Sequence, residues 1–383
     1  IYNGYWPQPG CIPDPEGMYF SDYDTYYLFV GHHFNDVNDI KFNSISLTFS
    51  PINDWMRKKF EGSEEKKLAN LDENTAIKIE YGNRKDRRNG NRISREYPIY
   101  IIRSKNSLSL DEIYEKSRIL SEFLFFVSDE NPSIFELNCY NFDISKNPPF
   151  SEYVKIYSFR NSIYHGYHKD RDNLFEFCEI EEKYFELLEL WFSKRNELEP
   201  IFAHYFTTKF NPDLLLHIKF FNLIHALEGY SKVLQRKKGS LNERLFRIFN
   251  KYEIVTKLLF KNEEEKTDFL TKVIGIRNSI VHLNDDYPER IKDNETISKG
   301  IYFFDIYIRL CLLDELLILN DKELNDKIEH IDSLLILESD KFFKENTLLA
   351  QAFVKDNNKS VADYLKSINP NLKVTEFKRV ALG

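Results

Sequence analysis

Two near-identical hexapeptides, Arg-Asn-Ser-Ile-Tyr-His over 160–165 and Arg-Asn-Ser-Ile-Val-His over 277–282, each set a guanidinium and an imidazole five residues apart. An arginine keeps its charge at any physiological pH and presents a planar fork of donors that suits phosphate or carboxylate oxygens. A histidine titrates near neutrality and can take or give a proton. Together they are equipped for phosphoryl-transfer chemistry, provided that the fold brings both side chains to one substrate. The element under each copy decides that.

The first copy lies in EYVKIYSFRNSIYHGYHKDRDN, whose run-up is β-branched and aromatic and whose end is a polar turn cluster. Along a strand, residues five apart point to opposite faces, so Arg160 and His165 diverge there. The expected structure is a strand end running into a loop. His165 and His168 also form an HxxH, but neither a helix nor a carboxylate third ligand accompanies them, and no metal site is expected.

The second copy closes a helical pattern. At about 100° per residue, Phe269, Leu270, Val273, Ile274, Ile276, Ile280 and Val281 fill one broad apolar arc with Arg277 in its middle. Asn278 and His282 are one turn apart and share the margin of that arc. A guanidinium cannot shed its charge, so a helix face that buries it must supply a partner. LLLHIKFFNLIHALEGYSK offers one: Leu214, Ile218, Phe221 and Ile224 define an apolar face, and Glu228 and His217 fall within it. Two readings stay open at this level, a fold-specifying Arg277–Glu228 ion pair or a charge held ready for a substrate.

These residues sit in a chain of two characters. Residues 1 to about 180 read as mostly strand. MYFSDYDTYYLFVG and DIKFNSISLTFS alternate apolar and polar residues, and NTAIKIEYGNRKDRRNGNRISREYPIYIIR is a hairpin about an Asn-Gly turn. SIFELNCYNFDI, YVKIYSFRN and LFEFCEI read as further strands, and Ser109 with Glu112 caps one helix ahead of IYEKSRILSEFLFFVS. From 181 to 383 the period is helical, with a capping box at Ser240 and Glu243 and a basic run, Arg236-Lys237-Lys238, at the end of the preceding helix. The tail beyond Asn320 carries weaker helical segments. An α+β chain results, a β-rich domain over 1–180 followed by an all-α domain over 181–383.

With 383 residues, 42% hydrophobic and 30% charged, the chain fits two folded domains, and its net charge of -8 argues against a wholesale polyanion binder without excluding a local basic site. No stretch approaches the roughly 18 apolar residues of a membrane span. The sequence opens on Ile1, so its start is expected to be missing, and no basic-then-apolar leader is seen. Four scattered cysteines, Cys11, Cys139, Cys178 and Cys311, give neither a zinc motif nor a disulfide framework, and a cytoplasmic setting is expected.

The Arg-x4-His of Arg277, Asn278 and His282, at the end of a helix in an all-α half, resembles the HEPN superfamily. FNLIHALEGYSK, with Glu228, looks like the second-helix signature of its ApeA-like branch. GYWPQPG, the GMYF…LFVG strands and ISLTFSPINDWM resemble the ApeA N-terminal domain, so the resemblance covers most of the chain. It implies an anti-phage defence protein of the abortive-infection kind, whose HEPN domain is a metal-independent endoribonuclease of tRNA anticodon loops. It also implies a homodimer or higher homo-oligomer that joins two Arg/His motifs in one cleft. The first hexapeptide lies outside the HEPN half and inherits no role.

Such chemistry fits the residues. RNA cleavage without a metal needs the 2′-hydroxyl deprotonated, the leaving 5′-oxygen protonated and the phosphorane charge stabilised. His282 would move protons, Arg277 would hold a phosphoryl oxygen, and Asn278 would fix the imidazole tautomer or bond a phosphate oxygen. Glu228 would orient Arg277. One motif supplies one histidine, so two protomers would supply both acid and base. Arg236, Lys237 and Lys238, with the hairpin tip at Arg84, Lys85, Arg87, Arg88 and Arg92, could capture RNA. The expected partners are RNA, a second copy and a phage-derived trigger sensed by the front domain, with no cofactor, metal or membrane. Two alternatives are a non-catalytic HEPN module that binds RNA or a partner with Arg277 purely structural, and a β ligand-binding domain dimerised by the helices.

Overall fold

A computed structural model describes residues 27–32, 34–50, 52–56, 68–88, 91–141, 153–158, 175–233, 238–282, 287–316, 352–353 and 356–369. The chain divides into two compact units, 1–196 and 197–383. The first is built on period-two strands: β1 (Tyr27–Val30), β2 (Lys41–Ser50), β3 (Leu68–Asn70), β4 (Thr75–Arg88), β5 (Asn91–Ser109), β6 (Ser133–Tyr140) and β7 (Val154–Ser158). They form a seven-stranded antiparallel sheet in the order β1-β7-β6-β2-β5-β4-β3. Central β2 sends Ile45, Leu47 and Phe49 into the core, alternate residues on one face. β4 and β5 stay in register from Thr75↔Ser104 out to Arg88↔Asn91, the hairpin pairing expected, while Asn89 and Gly90 between them lie outside the described residues.

Helices cover that sheet. α1 (Ile52–Trp55) follows β2, and α2 (Leu110–Ser128) starts at the expected capping box, with Ser109 Oγ accepting from the Glu112 N–H and Glu112 accepting from Ser109 N–H at 2.8 Å. The stretch 174–180, expected as strand, instead forms the helical turn α3 (Phe177–Ile180). Its Glu179 carboxylate takes the Glu176 N–H at 2.8 Å, a local bond that outcompetes a short alternating pattern. The helix expected over 181–198 breaks at Lys194 into α4 (Tyr184–Ser193) and α5 (Arg195–Phe210). The tyrosine hydroxyls of Tyr184 and Tyr100 meet at 2.9 Å, and Trp191 Nε1 donates to Ile119 O at 3.2 Å, so α4 belongs to the core of the sheet unit. One ion pair is sealed inside it: Arg195 Nη1 donates to Glu122 Oε2 at 2.7 Å, with side-chain exposures of 6% and 2%.

The second unit is helical: α6 (Leu216–Val233), α7 (Leu241–Lys251), α8 (Glu253–Leu259), α9 (Glu263–His282), α10 (Tyr287–Arg290) and α11 (Asn294–Glu315) follow α5. α6 lies against α11 through the Phe220 and Phe304 rings, 5.7 Å apart, and through Gly300. A Cβ on Gly300 would sit 2.6 Å from Phe220 Cε2, closer than carbon atoms pack, so the glycine permits the approach. Phe249 stacks on Tyr307 at 4.1 Å, and Phe260, Phe269 and Phe303 join α9 and α11.

Two faces differ from expectation. On α6 the buried apolar residues are Phe220, Leu223, Ile224, Ala226, Leu227 and Tyr230, which leaves His217, Ile218, Phe221 and His225, and Leu214 just ahead of the helix, half-buried. Apolar residues occur in two overlapping phases on this helix, and the phase with the larger continuous stripe wins the core. On α9 Phe269, Leu270, Val273 and Ile276 are buried as expected, while Val281 is 40% exposed. The tail, expected to be helical, also pairs β8 (Ala352–Phe353) with β9 (Asp356–Ser360) ahead of α12 (Val361–Ile368). Cys139, Cys178 and Cys311 are free thiols. Among the described residues no helix is long and apolar enough to cross a membrane, and no cluster of histidine, cysteine and carboxylate could hold a metal ion.

Candidate active site

α9 carries the second hexapeptide in its last two turns, and α6 runs beside it with Glu228 near its C-terminal end. Arg277 Nη2 donates to Glu228 Oε2 at 2.9 Å, and Arg277 Nη1 donates to Asn278 Oδ1 at 3.2 Å. The guanidinium is half-buried and the carboxylate 9% exposed. Two further cations complete the cluster on the other carboxylate oxygen. Arg244 Nη1, from α7, donates to Glu228 Oε1 at 3.1 Å, and Lys232 Nζ, one turn along α6, lies 2.6 Å from the same atom. Burial pushes the Glu228 carboxyl up, but Lys232, Arg277 and His225 outweigh it and hold it below the ordinary carboxylate range. Three cations around one carboxylate leave a positive excess in a chain of net charge -8. That excess is the physical requirement for holding an anion.

His282 ends α9 with its side chain exposed, one turn beyond half-buried Asn278. Its imidazole is thus accessible, while Arg277 is turned inward to Glu228. Residues five apart on a helix are separated by about 140° around the axis, so one helix face cannot present both. Lys238 is exposed, and its carbonyl accepts from Arg247. Arg236 and Lys237 lie outside the described residues, as do the first hexapeptide, Arg160 to His165, and His168. The backbone of the basic hairpin is described, with Arg84 opposite Arg95 and Arg87 opposite Arg92.

Sequence reasoning missed four members of this neighbourhood. Lys232, four residues after Glu228 on one helix, was open to an i,i+4 argument. Arg244 sits on another helix, and nothing in the local pattern points it at Glu228. His225 and His204 were passed over as members of apolar runs. In the structure their rings meet edge to face at 5.2 Å, Phe221 packs on His225 at 4.6 Å, and His204 Nδ1 is 3.4 Å from Asn222 Oδ1.

Comparisons with known proteins bear on three successive stretches. Residues 10–191 match the family ApeA N-terminal domain 1, residues 182–323 match Apea-like HEPN, and residues 314–383 match Elongation factor TS. The elongation factor Ts of Christiangramia forsetii is 58% identical over 43 residues, 11% of this chain and 16% of that protein. Those of Flavobacterium psychrophilum and Amoebophilus asiaticus are 60% identical over the same length and shares. The chain thus spans about one-sixth of the length of these curated relatives. No solved structure matches it. The antiparallel sheet and the α9 motif fall within the first two of these matches. The chain belongs to the ApeA-like proteins, an ApeA N-terminal domain followed by a defence-associated HEPN domain.

Proposed function

We propose that the protein is an anti-phage defence effector whose HEPN domain cuts RNA without a metal, through Arg277, Asn278 and His282. The observation that carries this reading is the Arg277–Glu228 pair, because the same carboxylate also gathers Arg244 and Lys232 and so leaves cationic donors in excess, with His282 exposed at the end of the helix that carries Arg277. Arg277 would neutralise a non-bridging phosphoryl oxygen, and Glu228 would fix the plane of its fork. Asn278, already bonded to Arg277, would steer the same guanidinium. His282 would move a proton, worth typically about 10²–10⁴ in rate. A second copy of the chain would bring its own Arg277 and His282 to one cleft. tRNA anticodon loops are the proposed substrate, as the ApeA-like resemblance implies, and their unpaired bases would suit recognition by splaying out. The sheet domain would sense a phage-derived trigger or restrain the helical one.

The test is incubation with total bacterial tRNA in excess EDTA. Wild type is expected to cut and to leave 2′,3′-cyclic phosphate ends, with His282→Ala folded and inactive. Cutting by His282→Ala at the wild-type rate removes the assignment. One alternative reading draws on the same pair: half-buried Arg277 as a purely structural partner of Glu228. It requires that Arg277→Ala unfold the domain and His282→Ala change nothing.

The tail adds a partner to this proposal. Identity of 58–60% over 43 residues, in a chain otherwise unlike elongation factor Ts, supports a segment kept for a contact which that factor makes. The tail would then tether the nuclease to the elongation machinery. A partner that binds the full chain, is lost on deleting 352–383 and is displaced by excess elongation factor Ts is the expected result. Binding that ignores the competitor eliminates the tether.

A further inference from the structure

α7, α8 and the first turn of α9 line a cleft of about 630 Å³, within the range that takes small organic ligands. It is separate from the hexapeptide. Lys266 on its wall and His282 belong to opposite ends of α9, about 24 Å apart at 1.5 Å per residue. Its back is aromatic: Phe249 and Phe260 are buried and stacked at 6.0 Å, and Phe246, one turn earlier on α7, is half-buried. Thr256 closes the floor, its hydroxyl already bonded to Phe249 O at 2.6 Å and to Tyr307 at 2.7 Å. The remaining lining is charged, with Lys257, Lys261 and Lys266 against Glu253 and Glu263.

Lys266 is the unusual member. Its side chain is 4% exposed, yet the carboxylate that neutralises it, Glu263 in the preceding turn, is 79% exposed. Nζ donates to Glu263 Oε1 at 2.9 Å and to Asn250 Oδ1 at 3.2 Å, and it lies 4.4 Å from the centre of the Phe246 ring. A lysine that merely paired along its helix would lie in solvent, as Lys257 and Lys272 do beside Glu253 and Asp268. Burying an ammonium demands a counter-charge. Here the cation is fixed while its counter-charge sits on a solvated arm, so an anionic ligand can take the ammonium and Glu263 can turn to water at little cost. Lys261 is exposed, and its side chain forms no ion pair among the described residues, which leaves a second ammonium for the same ligand. Two lysines in one cleft favour a phosphate, which carries roughly −1.5 to −2 at pH 7, over a single carboxylate.

We propose that this cleft binds a small molecule that joins a flat aromatic ring to a phosphate, of the nucleoside monophosphate class. The phosphate would displace Glu263 from Lys266 and draw in Lys261, and the base would lie against the phenyl rings. The inference needs neither Arg277 nor His282 and stands apart from the ribonuclease reading.

The test is calorimetric titration of the full chain with adenosine, guanosine, cytidine and uridine 5′-monophosphates in turn, with adenosine and inorganic phosphate as controls. Wild type is expected to bind at least one nucleotide at least roughly tenfold more tightly than either control. Lys266→Met keeps the length of the side chain and removes its charge. It should retain the wild-type melting temperature and lose affinity at least roughly tenfold. Glu263→Gln removes the competing carboxylate and should tighten binding roughly two- to fivefold, whereas Glu264→Gln, outside the cleft, should leave it unchanged. Binding of none of the four nucleotides at millimolar concentration overturns the proposal, as does a folded Lys266→Met that binds like wild type. Should Lys266→Met not fold, the exposed positions decide: unchanged affinity in both Glu263→Gln and Lys261→Gln ends the proposal.

Discussion

Arg277 and Glu228 meet at 2.9 Å between α9 and α6, and the same carboxylate takes Arg244 and Lys232 on its other oxygen. The pair is thus a junction of three helices and not a two-residue contact. Glu228→Gln keeps the shape and removes the one negative charge among three positive ones. We expect it to destabilise the helical domain by roughly 2 kcal/mol in urea unfolding, less than a fully sealed pair would lose. Because the folded carboxyl lies below its usual range, its contribution is complete above about pH 5 and fades as the solution is acidified through the lowered value. Arg277→Lys should separate the two readings of this junction. It keeps the charge and loses the fork, so it should fold yet cut RNA at least roughly 10²-fold more slowly. Full activity in that variant would make the guanidinium a structural strut.

Acid should unfold the same domain through a second carboxylate. Burial pushes the Asp305 carboxyl up, but Lys209, at 2.7 Å, and Arg309 outweigh it and hold it at about 2. At neutral pH the depressed value stabilises the fold by roughly 2 kcal/mol, lost as pH falls from about 4 towards 2. Asp305→Asn should therefore be less stable than wild type at pH 7, with the gap closing over that window. A gap of constant size would mean that packing, and not charge, is what the substitution disturbs.

In the sheet domain, the sealed Glu122–Arg195 pair should behave as buried ion pairs do. Glu122→Ala is expected to cost about 3–5 kcal/mol, since it removes the carboxylate that the buried guanidinium of Arg195 bonds. Replacing both, with Glu122→Leu and Arg195→Met, should recover most of that loss. Arg118, the other partner of Glu122, also bonds Glu115 and is 41% exposed, so it can turn to water in either variant. If the double variant is as unstable as the single one, the pair specifies the fold as well as filling it.

The β4–β5 hairpin sets Arg84 opposite Arg95 and Arg87 opposite Arg92. Like charges directly across a ladder repel, and a polyanion along the ribbon would relieve them. Changing Arg84, Arg87, Arg92 and Arg95 to Gln should weaken tRNA binding in a filter assay and flatten its salt dependence. At the same time it should leave or raise the melting temperature. Unchanged affinity would make the ribbon a solvated arm.

How far the sequence speaks depends on the range of the force involved. The capping boxes at Ser109 and Ser240 and the pairing of β4 with β5 were readable because residues close in sequence decide them. Arg277 and Glu228 were readable as a pair because each is an uncancelled charge within an apolar run. The helical turn at Phe177–Ile180 was not, since four residues of alternating pattern satisfy strand and turn alike until a capping bond chooses. The rotation of α6 was hidden for a related reason. Two apolar phases coexist on that helix, and only the partner surface on α11 selects between them. Arg244 and the His204–His225 contact depend on helix packing alone, which leaves no periodic trace. In the tail, a short strand pair and one helix carry too little pattern to be read with assurance from sequence alone.

At Gly300 the reach of the whole site is gauged by a hydrogen atom. α6 rests on α11 at one ring's thickness there, and the same helix, two turns further on, carries Glu228 to Arg277 of α9. A methyl group at position 300 would force the Phe220 ring or the helix itself outward and carry the carboxylate with it. Gly300→Ala should therefore give a helical domain with a lower melting temperature, read by circular dichroism on heating.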